Sequence, residues 1–251
     1  AKEIGWQQGH AVSFLPKWHH DKVGSSAHIH QSLWKDGKPA FFDKDDALGM
    51  SSLMKQYLAG LLAHSAETTY FLAPYINSYK RFAKGTFAPT RIIWSVDNRT
   101  AGYRVCGAGS KGVRVECRIG GSDINPYLAI ATQLAAGLAG IEAGLELPPA
   151  TTGDVYKGRS AMLPASLRDA RAAMMKSKML RSAFGEGVVR HYARAAEWEI
   201  DEFDRIVTDY EVARGFERAW PASLLRQSWS LPMPWHRWCP GWRLAGDWLS
   251  Q

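Results

Sequence analysis

The chain has 251 residues, of which 46% are hydrophobic and 22% are charged, and it carries a formal net charge of +7 at pH 7. These are ordinary values for a globular protein, and no apolar run approaches the roughly 20 residues that a membrane-spanning helix needs, so the sequence predicts a soluble protein. Residues 80–118 hold nine of the 31 Lys and Arg residues and two of the 24 acidic residues, so a compact anionic ligand explains the excess positive charge as well as a nucleic acid does.

The N-terminal part predicts two strands, "HAVSFLPKW" and "SSAHIHQSL", which the polar turn "KWHHDKVG" joins. Alternation along the second strand places hydroxyls and imidazoles on one face (Ser26, His28, His30 and Ser32) and apolar side chains on the other (Ala27, Ile29 and Leu33). Apolar residues at three- and four-residue spacing predict a helix from residue 46 to about 64. The segment "APYINSYKRFAKGTFAPT" then predicts a loop because of its prolines and glycine.

The second half predicts strands at residues 91–96 and 102–106 and a clearer one over "GVRVECRIGG". One face of that third strand is apolar, and the other carries Arg114, Glu116 and Arg118. A long helix follows Asp123, which suits its N-cap, and ends before the paired prolines Pro148 and Pro149. Two further helices are predicted at residues 166–181 and 186–219.

Residues 221–251 differ from the rest of the chain. They hold five of the 11 tryptophans and four prolines without a sustained period, so we predict one domain over residues 1–220 and a separate tail over 221–251. A frameshifted or otherwise non-native C-terminus is the favoured explanation, and an extension that packs on a partner is the alternative. The start at Ala1, directly in an amphipathic pattern, predicts that a segment precedes it.

The polar faces of two predicted strands could form a binding or catalytic site, although each face also has a purely structural explanation. Arg114, Glu116 and Arg118 can form a surface ion-pair ladder, or Glu116 can bind a cation whose anion the arginines hold. Exposed histidines on a strand are common, and two of them are a weak metal signal. Together they favour a basin for phosphoryl transfer, with few metal ligands and many phosphate ligands. Its further bases are Lys80, Arg81, Arg99, Arg104 and Lys111.

The three cysteines, Cys106, Cys117 and Cys239, are an odd number without metal-site spacing. This argues against a disulfide framework and predicts a reducing compartment, which we take to be the cytoplasm.

Five blocks of sequence occur in the order and at about the spacing of one known family. They are "GSSAHIHQSLW", "NSYKRFAKGTFAP", "DNRTAGYRVCG", "KGVRVECRIGGSDINPYLAIATQLAAGLAGI" and "EWEIDEFDRIVTDYEVARGFER". Over roughly residues 1–218 the chain resembles the C-terminal portion of the glutamine synthetase catalytic domain. The resemblance implies an α+β fold with a concave antiparallel sheet backed by helices, without the N-terminal β-grasp domain and the first part of the catalytic domain. It also implies a homo-oligomer, ring-shaped in this family, for the full-length protein.

The implied reaction is ATP-dependent phosphorylation of the side-chain carboxylate of glutamate, followed by displacement of the phosphate by an amine. The implied cofactor is Mg²⁺ or Mn²⁺, held by His28 and Glu116. Glutamate is assigned to Arg81, Arg118 and Gly24, and the transferred phosphoryl group to Arg99 and Arg104. The resemblance assigns ATP to His30, Ser32, Arg104, Lys111 and Arg114, with Arg81 and Arg99 as the catalytic arginines.

Three departures from the family qualify this expectation. The family's other metal-binding glutamates lie upstream of this chain, so we expect the isolated chain to be inactive. Phe87 stands where the family carries its ammonium-handling glutamate, which predicts an organic amine (alkylamine, ethanolamine or polyamine) as acceptor unless another carboxylate has taken over. Val23 replaces an asparagine near the glutamate amino group and weakens the assignment of glutamate.

Two other classes of function remain as alternatives. One is a catalytically dead relative that binds a nucleotide or acts as a structural or regulatory subunit. The other is a nucleic-acid-binding protein, which is disfavoured because the basic residues alternate with apolar ones instead of forming a stripe. We therefore expect small-molecule partners, with no nucleic acid and no membrane.

Overall fold

The computed structural model describes residues 1–216 and 218, and the chain divides into a unit of residues Ala1–Phe203 and a second unit that begins at Asp204. The helices are α1 (Lys2–Gln7), α2 (Ser52–Ala63), α3 (Ser65–Leu72), α4 (Ile76–Tyr79), α5 (Pro126–Glu142), α6 (Leu167–Lys176), α7 (Lys178–Phe184), α8 (Glu186–Arg205) and α9 (Asp209–Phe216). The strands are β1 (Ile29–Gln31), β2 (Trp34–Lys35), β3 (Lys38–Pro39), β4 (Trp94–Val96), β5 (Tyr103–Cys106) and β6 (Arg114–Cys117). Within the described part, no helix has the length and apolar character needed to cross a membrane.

Four strands form the main sheet, in the order β1-β6-β5-β4, and β2 and β3 form a separate hairpin. The pairs β1–β6 and β5–β6 are antiparallel, as expected, but β4 and β5 are parallel. The chain turns back between them at Asp97, whose φ of 47° lies in the left-handed region. Because Tyr103 donates from its backbone N–H to the Ile93 carbonyl (3.0 Å), β5 starts beside the start of β4. The mixed α+β class is confirmed, and the expectation of a fully antiparallel sheet is wrong at this edge.

One face of the sheet packs on α2 and α5. Val113, Val115, Cys117 and Ile119 are buried in the same core as Tyr57 and Leu58, as the predicted alternation requires. The two helices approach closely through glycines, because a Cβ on Gly140 would lie 2.4 Å from the Gln56 carbonyl oxygen. The opposite face of the sheet is left for the polar side chains.

Several predicted elements differ from the observed ones. The segment "HAVSFLPKW", which was predicted to be a strand, is irregular because no strand of the described residues pairs with it. Its apolar residues Val12, Phe14 and Leu15 are exposed. Helix α5 is capped by Asn125 instead of Asp123: the Asn125 side chain accepts from the backbone N–H of Tyr127 at 3.0 Å.

Helix boundaries also differ from the predictions. Helix α3 was not predicted, and α4 lies within the predicted loop. The predicted helix at 166–181 is divided at Ser177, whose hydroxyl caps α7 by accepting from the backbone N–H of Leu180 at 3.0 Å. The predicted helix at 186–219 is divided at residues 206–208 into α8 and α9. The tail predicted at 221–251 lies outside the described residues.

Candidate active site

A row of polar side chains crosses three strands on the sheet face that α2 and α5 leave open. In the strand register, His30 on β1 lies opposite Glu116 on β6, and Glu116 lies opposite Arg104 on β5. Directly opposed residues of antiparallel strands project from the same face. The register therefore places one carboxylate between an imidazole and a guanidinium group.

Glu116 is the centre of this cluster. Its side chain is 3% exposed, and its Oε1 lies 3.0 Å from Nδ1 of His28 and 3.6 Å from Nε2 of His30. Arg118 donates to the same oxygen at 3.0 Å, and Arg104 donates to Oε2 at 3.3 Å. A buried carboxylate is costly unless it is paired and hydrogen-bonded, so the surrounding cations are what keep Glu116 in this position. The cluster joins His28 and Glu116, which are 88 residues apart in the sequence.

The electrostatics favour an ionised carboxylate and a neutral imidazole. Burial on its own would raise the pKa of Glu116, but the charge and hydrogen bond of Arg118, with His28 and Arg104, lower that pKa below its ordinary value. Burial, followed by the charge of Arg118, lowers the pKa of His28. Metal ligands must be deprotonated, so both groups hold the form that coordination requires.

The donor set fits a divalent metal ion in part. Glu116 supplies a carboxylate and His28 an imidazole, with His30 beside the same carboxylate oxygen. Mg²⁺ takes about six ligands and prefers oxygen, whereas imidazole suits Mn²⁺ better. These residues therefore suit an ion that takes its remaining ligands from phosphate, water or other carboxylates.

Arg81 is a buried cation that has no carboxylate partner among the described residues. Its side chain donates to the Ile119 carbonyl, its Nε has no hydrogen-bond partner, and it forms no ion pair within 4.0 Å among the described residues. Burial lowers the pKa of Arg81 to about 10, which leaves the group charged at neutral pH. Gly24 makes room for it, because a Cβ there would lie 2.8 Å from Arg81 Cγ. This arrangement suits the binding of an anionic group.

The remaining predicted bases lie at different distances from Glu116. Arg114 donates from Nε to Nδ1 of His30 at 3.1 Å, and so does not contact Glu116 as a ladder would require. Arg99 has an exposed side chain, but its carbonyl accepts from Nε of Arg118 at 2.9 Å. Lys111 is exposed in the loop between β5 and β6.

Two predicted site residues make other contacts. Ser32 accepts from the indole N–H of Trp34 at 3.1 Å. Lys80, which was expected in the basin, follows α4, and its Nζ lies 5.5 Å from the centre of the Phe203 ring.

Phe87 lies in the loop between α4 and β4 with its ring 61% exposed and a φ of 59°. A left-handed backbone is unusual for a bulky residue and is stable only where its surroundings hold it. Tyr156 contributes to this by donating from its hydroxyl to the Ala88 carbonyl at 3.1 Å. Sequence reasoning missed Tyr156, because nothing in its local pattern points to a residue 69 positions away.

Three further side chains lie around the cluster, and sequence reasoning missed two of them, Asp97 and Cys106. Asp97 accepts from Arg104 at 3.0 Å, Ser26 lies 3.0 Å from Nε2 of His28, and Cys106 Sγ lies 3.8 Å from Oε2 of Glu116. Cys106 lies two residues after Arg104 on β5, and residues i and i+2 of a strand share a face. Strand periodicity could therefore have placed this thiol on the polar face.

Comparisons with known proteins identify the family to which the chain belongs. A family model described as "Glutamine synthetase, catalytic domain" matches residues 1–215. The chain is 46% identical over 219 residues to a gamma-glutamylethanolamide synthetase of Streptomyces coelicolor, a match that covers 87% of this chain and 46% of the relative. It is 37% identical over 217 residues to a glutamate–isopropylamine ligase of a Pseudomonas species, covering 85% of this chain and 47% of the relative. A glutamine synthetase of Thermus thermophilus is 38% identical over 221 residues, and the match covers 85% of this chain and 50% of the relative.

The chain thus spans about half the length of the curated relatives it matches.

Proposed function

The chain belongs to the glutamine synthetase family, and from this premise we propose that it is part of an ATP-dependent ligase that forms an amide on the γ-carboxylate of glutamate through γ-glutamyl phosphate. The strongest support is the buried Glu116, which two histidines and two arginines surround on one face of the sheet. Two guanidinium cations beside a carboxylate and two imidazoles suit the binding of phosphate and a metal ion, and positioning and charge neutralisation supply most of the catalysis of phosphoryl transfer.

In this proposal Arg81 holds the α-carboxylate end of glutamate, with Gly24 and Arg118 beside it. The planar guanidinium of Arg81 can bind a carboxylate through two parallel hydrogen bonds, and its Nε has no hydrogen-bond partner among the described residues. Its buried position excludes water from that contact and fixes the orientation of the substrate.

The nucleotide is assigned to the opposite side of the cluster. Arg104, Lys111 and Arg114 neutralise the phosphates of ATP, with His30 and Ser32 beside them, and Arg99 faces the transferred phosphoryl group. Arg114 and His30 are already joined by a hydrogen bond, so the two can act as one positioned donor pair. A divalent ion, Mg²⁺ or Mn²⁺, would be held by His28 and Glu116 and would supply positive charge to neutralise the phosphates.

The proposed acceptor is an organic amine in preference to ammonia. A phenyl ring cannot accept a proton from ammonium, whereas it can pack against the carbon chain of an alkylamine, and its face attracts a cation modestly. Phe87 presents such a ring at the protein surface. The names of two relatives, gamma-glutamylethanolamide synthetase and glutamate–isopropylamine ligase, support the same class of acceptor.

Full activity is proposed for a larger assembly than this chain alone. The described residues offer too few oxygen ligands at Glu116 for a six-coordinate metal ion, so we expect the isolated 251-residue chain to have little activity. Additional carboxylates would come from a further segment or from another copy in a homo-oligomer. We propose a cytoplasmic enzyme with ATP, glutamate and an amine as its small-molecule partners.

A catalytically dead relative that binds a nucleotide or regulates other subunits is the second candidate. Phe87 in place of a carboxylate and the shortage of metal ligands favour it. The buried polar cluster around Glu116 and Arg81 speaks against it, because such groups are costly to bury and drift would be expected to remove them.

Phosphate release by the full-length protein tests the proposal, with ATP, Mg²⁺ and glutamate present and the amine varied. We expect a higher kcat/KM for ethanolamine, isopropylamine or a diamine than for ammonium. F87E should raise kcat/KM for ammonium by about tenfold or more, because it supplies a general base, whereas F87L should not.

Glu116→Gln is the control for a genuine reaction and should abolish phosphate release. A clear preference of the unaltered protein for ammonium over every organic amine would contradict the proposed acceptor. Nucleotide binding without amine-dependent phosphate release would favour the dead relative.

A further inference from the structure

The turn that precedes β1 carries three potential metal ligands in consecutive positions, His19, His20 and Asp21. Neighbouring residues of a strand point to opposite faces, but here the chain bends: the Lys22 backbone N–H donates to the His19 carbonyl at 3.4 Å and closes a turn. As a result the rings of His19 and His20 stack, with centroids 4.6 Å apart. The turn therefore gathers side chains that a strand would separate.

The ligand atoms of the three residues converge. One nitrogen of each histidine and one oxygen of Asp21 all lie within 4.8 Å of one another, and within residues 1–216 and 218 no other set of three metal-ligating side chains does so. Nε2 of His20 lies 3.0 Å from Oδ2 of Asp21. Both of these side chains are largely exposed, at 83% and 70%, so an ion can reach them and small rotations can close the site.

The base of this turn is held in place while its tip is open. The backbone N–H of Lys17 donates to the side chain of Asn77 at 2.9 Å, and the Asn77 amide donates back to the Lys17 carbonyl at 2.9 Å. The Ser25 N–H closes the loop by donating to the Pro16 carbonyl at 2.8 Å. Because the backbone is already positioned, binding an ion orders only the three side chains.

We propose that His19, His20 and Asp21 bind a divalent transition-metal ion, Zn²⁺, Ni²⁺ or Cu²⁺, at a site separate from Glu116. Two imidazoles and one carboxylate are the donors of open three-ligand zinc sites, in which water takes the fourth position. The same donors disfavour Mg²⁺, which requires oxygen ligands. Binding replaces the hydrogen bond that Nδ1 of His19 accepts from the Asp21 N–H at 3.2 Å.

The test is a titration of untagged protein with ZnCl₂ in excess MgCl₂, read through a competing chromogenic chelator. We expect the double variant His19→Gln/His20→Gln to lose one equivalent of Zn²⁺, or to bind it about tenfold or more weakly, and D21N to weaken it less. His10→Gln, which removes another exposed histidine of the same region, is the matched control and should bind like the unaltered protein.

Binding that is unchanged in the double variant overturns the proposal, and so does an equal loss in His10→Gln. Zn²⁺ binding that is lost in Glu116→Gln but kept in the double variant also overturns it, while leaving the proposed ligase function intact. Because the three side chains are exposed, the double variant is expected to keep its circular dichroism spectrum, which separates ligand loss from unfolding.

Discussion

Arg81 is the residue on which binding of the acid substrate depends in this account. It is 4% exposed, and its Nε has no hydrogen-bond partner. We predict that Arg81→Lys in the full-length protein raises KM for glutamate by about 10- to 100-fold, because the ammonium keeps the charge but cannot make two parallel bonds. The measurement is the glutamate dependence of phosphate release.

Arg91→Lys is the matched control for Arg81. Arg91 donates to the Ser160 carbonyl at 2.6 Å, and nothing places it beside Glu116. Its KM for glutamate should match that of the unaltered protein, and an equal rise in both variants would remove Arg81 from the substrate site.

Glu67 makes a partly buried network whose contribution to stability depends on pH. Its Oε2 lies 3.1 Å from Nδ1 of His64 and also accepts from the buried hydroxyl of Ser177. Burial on its own would raise the pKa of Glu67, but the hydrogen bonds of His64 and Ser177 outweigh burial and lower the pKa below its ordinary value. A carboxyl whose pKa is lower in the folded state stabilises the fold above its unfolded pKa and ceases to do so as pH falls through the folded value.

We therefore predict that Glu67→Gln lowers the free energy of unfolding by about 1 kcal/mol at pH 7 and that the difference narrows below about pH 4. Urea unfolding at several pH values measures it. Glu186→Gln removes an exposed carboxylate paired with Arg181 and should change stability by a few tenths of a kcal/mol at most. A difference for Glu67→Gln that persists unchanged to pH 3 would contradict the predicted pH dependence.

At the residue scale, the sequence predicted which side chains share a face but not which of them touch. Alternation correctly grouped His28 with His30, since both lie near the same oxygen of Glu116, although His28 precedes β1. The contact between Glu116 and Arg104 depends on the register of β5 against β6, which no local pattern encodes. Arg114, a neighbour of Glu116 in the sequence, binds His30 instead.

Helices α2 and α5 pack closely on each other and together support one face of the sheet. A Cβ at Gly140 would lie 2.4 Å from the Gln56 carbonyl oxygen and 2.5 Å from the Gly60 Cα, so the two helices would have to separate. We predict that Gly140→Ala lowers the free energy of unfolding by about 1–3 kcal/mol, as overpacking does in other cores. Thermal or urea unfolding measures this change.

Gly187→Ala provides the matched control on another helix. A Cβ at Gly187 in α8 meets nothing within 4 Å, so the change should stabilise the protein by a few tenths to about 1 kcal/mol through helix propensity. Destabilisation of similar size at both positions would mean that close helix packing is not the cause.

At the element scale, helices were predictable where an apolar period was visible and were missed where polar residues are buried. In α3 the residues Ser65, Thr68 and Thr69 are fully buried. The hydroxyls of Ser65 and Thr69 each donate to a backbone carbonyl one helical turn earlier, at 2.7 Å. These hydrogen bonds satisfy the hydroxyls and allow polar residues to be buried in the core. The strand predicted from alternation at the N-terminus does not form, because an alternating segment becomes a strand only where a neighbouring strand can pair with it.

At the scale of the whole molecule, the positive charge has a local explanation. The excess lies within residues 80–118, and Arg104, Arg114 and Arg118 from this segment surround the carboxylate of Glu116 or its histidine neighbours. A cluster around one buried acid fits a compact anion better than a nucleic-acid backbone, which a stripe of exposed bases would suit.

The resemblance in five sequence blocks predicted the family, which the match over residues 1–215 confirms. The sequence did not predict the parallel pairing of β4 with β5, because no local pattern encodes the direction in which two strands pair. The tail at 221–251 stays a prediction.

Anomalous diffraction at the manganese absorption edge, from crystals of the full-length protein grown with MnCl₂, most directly tests the proposal that His28 and Glu116 share one metal ion. We predict a peak about 2–2.5 Å from both a carboxylate oxygen of Glu116 and a ring nitrogen of His28. Peaks confined to other side chains, with Glu116 still bonded to His28 and Arg118 as it is here, would contradict the account.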